Sequence, residues 1–414
     1  MRPILSRSPC PRKRQKRPNS HTAAKCNFCA HRVDAGLKPS CEIVCPTQAI
    51  ISGDLDDPDS EVSRLIDTEA SHVRAPEQGT SPKLFYIGVH QASINPIAVG
   101  GGDAYLTTEV AASQREKLGP LTPAATATVM ADVEHPPPWG WRVASYFLTK
   151  GVAAGAMMLS VLLLVIGAHG SALADVVPGI LALAGIALTG MLLVWDLKQP
   201  RRFYFLFTRP QWRSWLAIGA QFINASAAIA LAFTIASIFG LHGLRDALRW
   251  AMVPAGMMLA GYTAFLFNQC EGRDLWQSPL LFAHTIVNAL LAGASSLGVL
   301  ALFAHAPAAD TRALGWTITL GAAASAALIA LDLGGRHPTE QAERAALNLW
   351  RDLYAKRFWL GGILTGLVTP IILAAIFLVI GGALVLAVAG VLALAGLWFY
   401  EDAWVRAGQS VPLS

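Results

Sequence analysis

Eight apolar runs, each about as long as a lipid bilayer is thick, fill the sequence from Trp141 onward. They lie near 143–168, 174–195, 214–240, 249–268, 279–304, 313–332, 358–379 and 382–400. A helix needs about 20 mostly apolar residues to cross the hydrocarbon core. These runs are too long and too many to be core helices of a water-soluble domain. Charged clusters, Gly or Pro separate them, as helix ends require. Small residues recur, as in GVAAGAMM and LAGASSLG, and allow close helix–helix approach inside lipid. The charged fraction agrees: it is 14%, against about a quarter for a soluble domain. The expected fold is mostly α, a polytopic membrane protein with about eight transmembrane helices.

Upstream of the runs the character changes. Residues 1–24 are basic and proline-rich and contain no apolar core segment. They are therefore neither a Sec nor a twin-arginine signal. A disordered segment is expected there, or a start codon set inside a longer reading frame. Residues 25–110 are mixed and polar. A linker rich in Ala, Thr and Pro follows over 111–140, with EHPPPWGW near its end; a proline triplet favours extended backbone. The membrane domain is expected over 141–408, with a short tail at 409–414. The net charge of +5 is modest and concentrated near the N-terminus and in two later loops, so nucleic acid is not an expected partner.

Eight spans place both chain ends on one side of the membrane. The loops on that side carry Lys198, Arg201, Arg202, Arg209 and Arg213, then Arg273, then Arg336, Arg344, Arg351, Lys356 and Arg357, with Arg406 in the tail. The opposite loops carry Arg245, Arg249 and Arg312. The positive-inside rule then puts the cysteine-bearing segment in the cytoplasm.

Four of the six cysteines, Cys26, Cys29, Cys41 and Cys45, fall in KCNFCAHRVDAGLKPSCEIVCPTQAI with the spacing C-x2-C-x11-C-x3-C-P. In so long a chain this is not a disulfide framework. Four thiolates hold either tetrahedral zinc or an iron–sulfur cluster. The C-x3-C-P ending favours iron–sulfur, because it is the ending of bacterial ferredoxin motifs. Cys10 and Cys270 stand alone, and Cys270 reads as inert packing near a helix end.

That cysteine stretch, with the later RAPEQGTSPKLFYIG, resembles the C-terminal part of the 4Fe–4S ferredoxin-type subunits of molybdenum-enzyme complexes. The membrane part resembles the NrfD/polysulfide-reductase membrane subunits in YFLTKGVAAGA, VWDLKQPRRFYFLFTRPQWRSWL, LFNQCEGRDLWQSPLL, RFWLGGILTGLVTP and EDAWVRAGQSVPLS. The chain therefore looks like a fusion of the two. The resemblance implies two four-helix bundles behind a small, partial ferredoxin-like α+β domain. It implies a membrane-anchoring electron-transfer subunit that links a quinone or quinol pool to 4Fe–4S clusters. The implied partners are a molybdopterin catalytic subunit, a further iron–sulfur protein, membrane lipid and the quinone pool. By the family rule Cys26, Cys29 and Cys41 serve one cluster and Cys45 another, and each cluster needs cysteines beyond these four.

Ionisable groups inside spans are costly and mark functional positions by default. On this topology Tyr146, Lys150, Asp196, Glu271 and His284 fall near one membrane face. They could bind a quinone's carbonyl oxygens and move its protons. Each also has a plainer role. Asp196 with Lys198 and Glu271 with Arg273 can be interfacial ion pairs. Lys150 can snorkel to the surface, His284 can bond a neighbouring helix, and Tyr146, Trp139 and Trp141 can anchor an aromatic belt. Gln221 and Asn224 read as interhelical hydrogen bonds, and Asp332 and Glu401 as interfacial. No histidine pair suits a b-type haem. Two rival readings are a structural anchor with a vestigial cysteine domain and a transporter with a regulatory metal domain. A transporter would place charges near mid-membrane on broken helices.

Overall fold

The computed structural model describes residues 28–34, 36–45, 48–74, 79, 81–89, 139–166, 170–197, 200–270, 273–304, 306–335, 337 and 339–411. The basic segment 1–24, residues 111–138, Cys26, Lys198 and Glu271 lie outside the described residues. The chain divides into two units. One takes in Met1–Pro39 and Ile51–His135, the other Ser40–Ile50 and Pro136–Ser414.

In the first unit, α1 (Ala30–Val33) follows two residues in the left-handed region, Phe28 and Cys29. Helix α3 (Glu61–Thr68) is capped by Ser60, whose hydroxyl accepts from the Ser63 N–H at 3.1 Å. Strands β1 (Ser71–His72) and β2 (Tyr86–Ile87) pair antiparallel, Ser71 opposite Ile87. The short helix α2 (Ser40–Val44) carries Cys41 and falls in the second unit.

The second unit is helical. In chain order it contains α4 (Trp141–Ile166), α5 (Ala172–Asp175), α6 (Val177–Asp196), α7 (Phe205–Thr208), α8 (Trp215–Ile238), α9 (His242–Asn268), α10 (Leu281–Ala301), α11 (Ala308–Gly334) and α12 (Glu340–Trp350). A π-helical stretch, Arg357–Val368, then runs into α13 (Thr369–Ile380), and α14 (Ala383–Gln409) is the last helix. Among the described residues eight helices are long and apolar enough to cross a membrane: α4, α6, α8, α9, α10, α11, the π stretch with α13, and α14. The eight expected runs match them one to one.

Three of them outrun the apolar pattern. Helix α9 starts at His242, α11 at Ala308, and α14 continues to Gln409. In each case the extension contains charged residues whose partners lie inside the protein. Arg245 and Arg249 pair with Asp175, Asp310 accepts from Ser171 Oγ at 2.5 Å, and Asp402 pairs with Arg357 and Arg406. A satisfied charge does not force a helix to stop. Arg245 and Arg249 are therefore helix residues rather than loop residues, and Arg249 is fully buried.

Helix α4 joins the two bundles. Tyr146, Phe147, Leu159 and Leu163 pack into the core shared with α10 and α14, while Ala153, Ala154 and Met157 pack against α6, α8 and α9. Its crossing with α10 is backbone on backbone. A Cβ on Gly155 would collide with the Ala289 carbonyl, and one on Gly293 would collide with the backbone of Gly155 and Ala156. Gly155→Ala is expected to destabilise by about 1–3 kcal/mol, because the helices must part. Gly190→Ala, where nothing lies within 4 Å, is expected to be neutral. Thermal unfolding of the two variants in detergent compares them directly, and equal midpoints would refute the tight crossing.

The π stretch packs on α14. Thr365 and Thr369 donate to the carbonyls five residues back, Leu360 and Leu364, at 2.7 and 2.8 Å. Gly361, Gly362 and Gly366 bring this wide helix against Phe399, Tyr400 and Gly396. It thereby sets the position of Tyr400, beside Glu401.

Candidate functional site

Lys150 is 2% exposed and lies nine residues into α4, about 14 Å along the helix axis. It does not snorkel. Its Nζ donates to Thr263 Oγ1 and, at 3.4 Å, to the Ala260 carbonyl, both on α9. The same nitrogen sits 4.8 Å from the ring centres of Phe147 and of Tyr262. Hydroxyl, carbonyl and two aromatic faces replace water around the buried amine.

Lys150 lines a cavity of about 40 Å³ between α4, α9, α10 and α14, room for about two or three water molecules. The walls include Phe147, Leu148, Leu281, Ala292 and Trp404. Its polar groups are Lys150, His284, Thr285, Asn288, Tyr400 and Glu401. His284 is buried, edge-on to Tyr400 with ring centres 5.5 Å apart. Its Nε2 has no hydrogen-bond partner among the described residues, and neither has Glu401 Oε2. Asn288 Oδ1 accepts from Ser325 Oγ at 2.9 Å. The cavity thus combines an amine, an imidazole nitrogen and a carboxylate oxygen in an apolar wall, the last two with capacity to spare. A buried polar atom left unpaired costs about 1–3 kcal/mol, so such atoms suit a ligand or ordered water.

Of the expected site residues, the structure brings Lys150 and His284 together. Tyr146 is buried one turn before Lys150, stacks on Phe147, and does not line the cavity. Asp196 lies at the helix end and pairs with Arg142 at 3.5 Å, while Arg142 stacks over Trp195. Glu271 is outside the described residues. Arg273 donates to the Val411 carbonyl at 2.8 Å and so ties down the segment after α14. Glu401, read from sequence as interfacial, is instead buried eight residues before the end of α14 and faces Lys150's cavity. Its neighbour Asp402 faces the other way and is fully paired: Arg357 Nη1 reaches it at 2.7 Å and Arg406 Nε at 2.8 Å.

Cys29, Cys41 and Cys45 form no disulfide among the described residues. Cys45 Sγ accepts the Ala49 N–H at 3.1 Å, as a cluster-ligating sulfur does. The donor chemistry suits iron–sulfur, although no three His, Cys, Asp or Glu side chains gather among the described residues. Burial pushes the Cys270 thiol up to about 11, against the pull of Arg273, so it is protonated and unreactive at neutral pH.

Comparison with known proteins agrees with both halves. The 4Fe–4S dicluster domain family matches residues 4–55. The iron–sulfur subunit of the arsenate respiratory reductase of Shewanella sp. (strain ANA-3) is 52% identical over 66 residues, 16% of this chain and 28% of that protein. A tetrathionate reductase subunit of Salmonella typhimurium is 42% identical over 80 residues, 19% of this chain and 32% of that protein. A polysulfide reductase chain of Wolinella succinogenes is 39% identical over 64 residues, 15% of this chain and 34% of that protein. The match thus spans about a third of the length of these curated relatives. The membrane part is covered separately, by the family described as polysulphide reductase, NrfD, which matches residues 131–411. Because that match takes in well over half of its length, this chain plainly belongs to the polysulphide reductase NrfD family, with a 4Fe–4S dicluster segment placed before the membrane domain.

Proposed function

We propose that this protein is the membrane-anchoring, quinone- or quinol-interacting electron-transfer subunit of a respiratory oxidoreductase complex whose catalytic subunit carries molybdopterin. One observation carries the reading: Lys150, His284 and Glu401, from three separate spanning helices, converge on one apolar cavity, where His284 Nε2 and Glu401 Oε2 have no partner among the described residues. A quinol gives up two protons and two electrons. Glu401 Oε2 and His284 Nε2 are free acceptors for the protons, and the Lys150 ammonium is a donor for a carbonyl oxygen. The apolar wall excludes water and strengthens each of these contacts. The cavity has room for only a few waters, so a ring enters by moving wall side chains outward. Tyr146 backs Phe147 and Asp196 lies at the surface, so neither is given a contact with the ring.

Iron–sulfur clusters would accept the electrons one at a time; Cys26, Cys29, Cys41 and Cys45 are the ligands this chain offers. The pool is that of a bacterial cytoplasmic membrane. The cysteine segment lies on the cytoplasmic side, where the Lys- and Arg-rich connections are. The internal pairing of Arg245 and Arg249 with Asp175 leaves the opposite connections poorer in free positive charge, which strengthens that orientation.

In the assembled complex, His284→Ala and Lys150→Ala are expected to lower quinol-linked turnover by about 10²-fold or more. Turnover driven by a dye that reduces the iron–sulfur part directly is expected to stay at the wild-type rate. Unchanged quinol-linked turnover in both variants would remove this cavity from quinone chemistry.

A further inference from the structure

Ser214 stands at the N-cap of α8, where a serine ordinarily accepts a hydrogen bond from a first-turn N–H. Here the side chain makes no cap bond, although it is fully buried. The cap comes from Gln269 at the end of α9. The Trp215 N–H donates to Gln269 Oε1 at 2.9 Å, and Gln269 Nε2 donates to the Arg213 carbonyl at 3.1 Å. Relieved of capping, the Ser214 hydroxyl donates to the Val44 carbonyl at 3.0 Å, a contact that spans 170 positions of sequence. Val44 ends α2 and immediately precedes Cys45. The last carbonyls of a helix have no partner within it, and Ser214 supplies one. Glu42, in the same short helix, is only 3% exposed, so α2 is seated rather than hanging free. Residues Ser40–Ile50 accordingly group with the membrane helices.

We infer that Ser214 is a positioning residue that holds the Cys41–Cys45 segment on the membrane domain, and that Gln269 frees it for this by capping α8 in its place. The consequence for electron transfer rests on the function proposed above. Gln269 is the next residue after α9, and α9 also supplies the Ala260 and Thr263 groups that hold Lys150. The cysteine segment is thus held at the start of α8, which Gln269 ties to the end of α9, the helix that also holds Lys150.

Hydrogen–deuterium exchange on the full purified chain tests the inference without turnover. Ser214→Ala is expected to speed exchange of amides 41–50 about fivefold, as loss of one hydrogen bond implies. Ser214→Thr, which keeps the hydroxyl, is expected to restore slow exchange. Gln269→Ala touches no atom of that segment. It is expected to speed exchange there as well, because Ser214 then turns back to cap α8, whose first turn stays protected. In Ser214→Ala the midpoint potential of the iron–sulfur EPR signal is expected to move, and to return in Ser214→Thr. Wild-type exchange at 41–50 in Ser214→Ala would overturn the inference. Faster exchange together with absent quinol-linked activity in the wild-type complex would uphold it and count against the quinone reading alone.

Discussion

Glu401→Gln is expected to lower quinol-linked turnover by about 10²- to 10³-fold while the complex assembles and retains its dye-linked rate. The substitution keeps the shape of the side chain and its ability to hydrogen-bond, but removes its capacity to take a proton. General acid–base groups contribute about 10²–10⁴-fold, so a loss of this size is what a proton acceptor in contact with substrate should show. Asp402 supplies the comparison. It is the adjacent residue, also buried, and bound by Arg357 and Arg406. Asp402→Asn is expected to lower the unfolding temperature and leave the quinol-linked rate per folded complex nearly unchanged. The two carboxylates thus separate chemistry from stability at neighbouring positions. The measurement is steady-state turnover with a quinol and with a dye, normalised to folded complex. A Glu401→Gln variant within threefold of wild type would rule out the carboxylate as the proton acceptor.

The sequence made the eight spans legible because hydropathy over about 20 residues is a strong signal. It made Lys150 and His284 legible because ionisable residues stand out against Leu and Ala. It hid Glu401 for the same reason. The apolar run breaks at EDAWVR, so a hydropathy reading ends the helix at Tyr400 and leaves Glu401 at the surface. The helix continues because Asp402, Arg406 and Arg357 satisfy one another, a pairing 45 positions apart that no local window contains. Asn288 and Tyr400 carry no signal of their own; only the packing of α10 against α14 brings them to the cavity. Asp196 shows the opposite case: its acidity at a helix end drew attention, while its partner Arg142 lies two spans away in sequence. Ser214 carries no sequence signal for its partner, Val44, which can be found only in three dimensions.

The far end of the membrane domain gives the largest expected stability effect. Arg249 is fully buried, and its bonds go through one nitrogen: Nη2 reaches Asp175 Oδ1 at 2.6 Å and the Ala174 carbonyl at 3.2 Å. Its Nε and Nη1 have no partner among the described residues. Arg245, 12% exposed at its side chain, holds the other Asp175 oxygen at 3.0 Å. Asp175→Asn therefore leaves a buried guanidinium without its counter-charge, which costs about 3–5 kcal/mol. A large fall in the unfolding midpoint in detergent is expected. If the uncompensated charge is the cause, then adding Arg249→Met, which removes the charge but fills the space, should recover most of the loss. A double variant as unstable as Asp175→Asn alone would show that the carboxylate acts in some other way. Asp175 lies beyond the far end of α4, whereas Lys150 sits nine residues from its beginning. Quinol-linked turnover per folded complex should therefore be untouched in every member of this series. Ionisable groups buried in two separate places of the membrane domain would then serve separate purposes, substrate chemistry at one and cohesion of the bundle at the other.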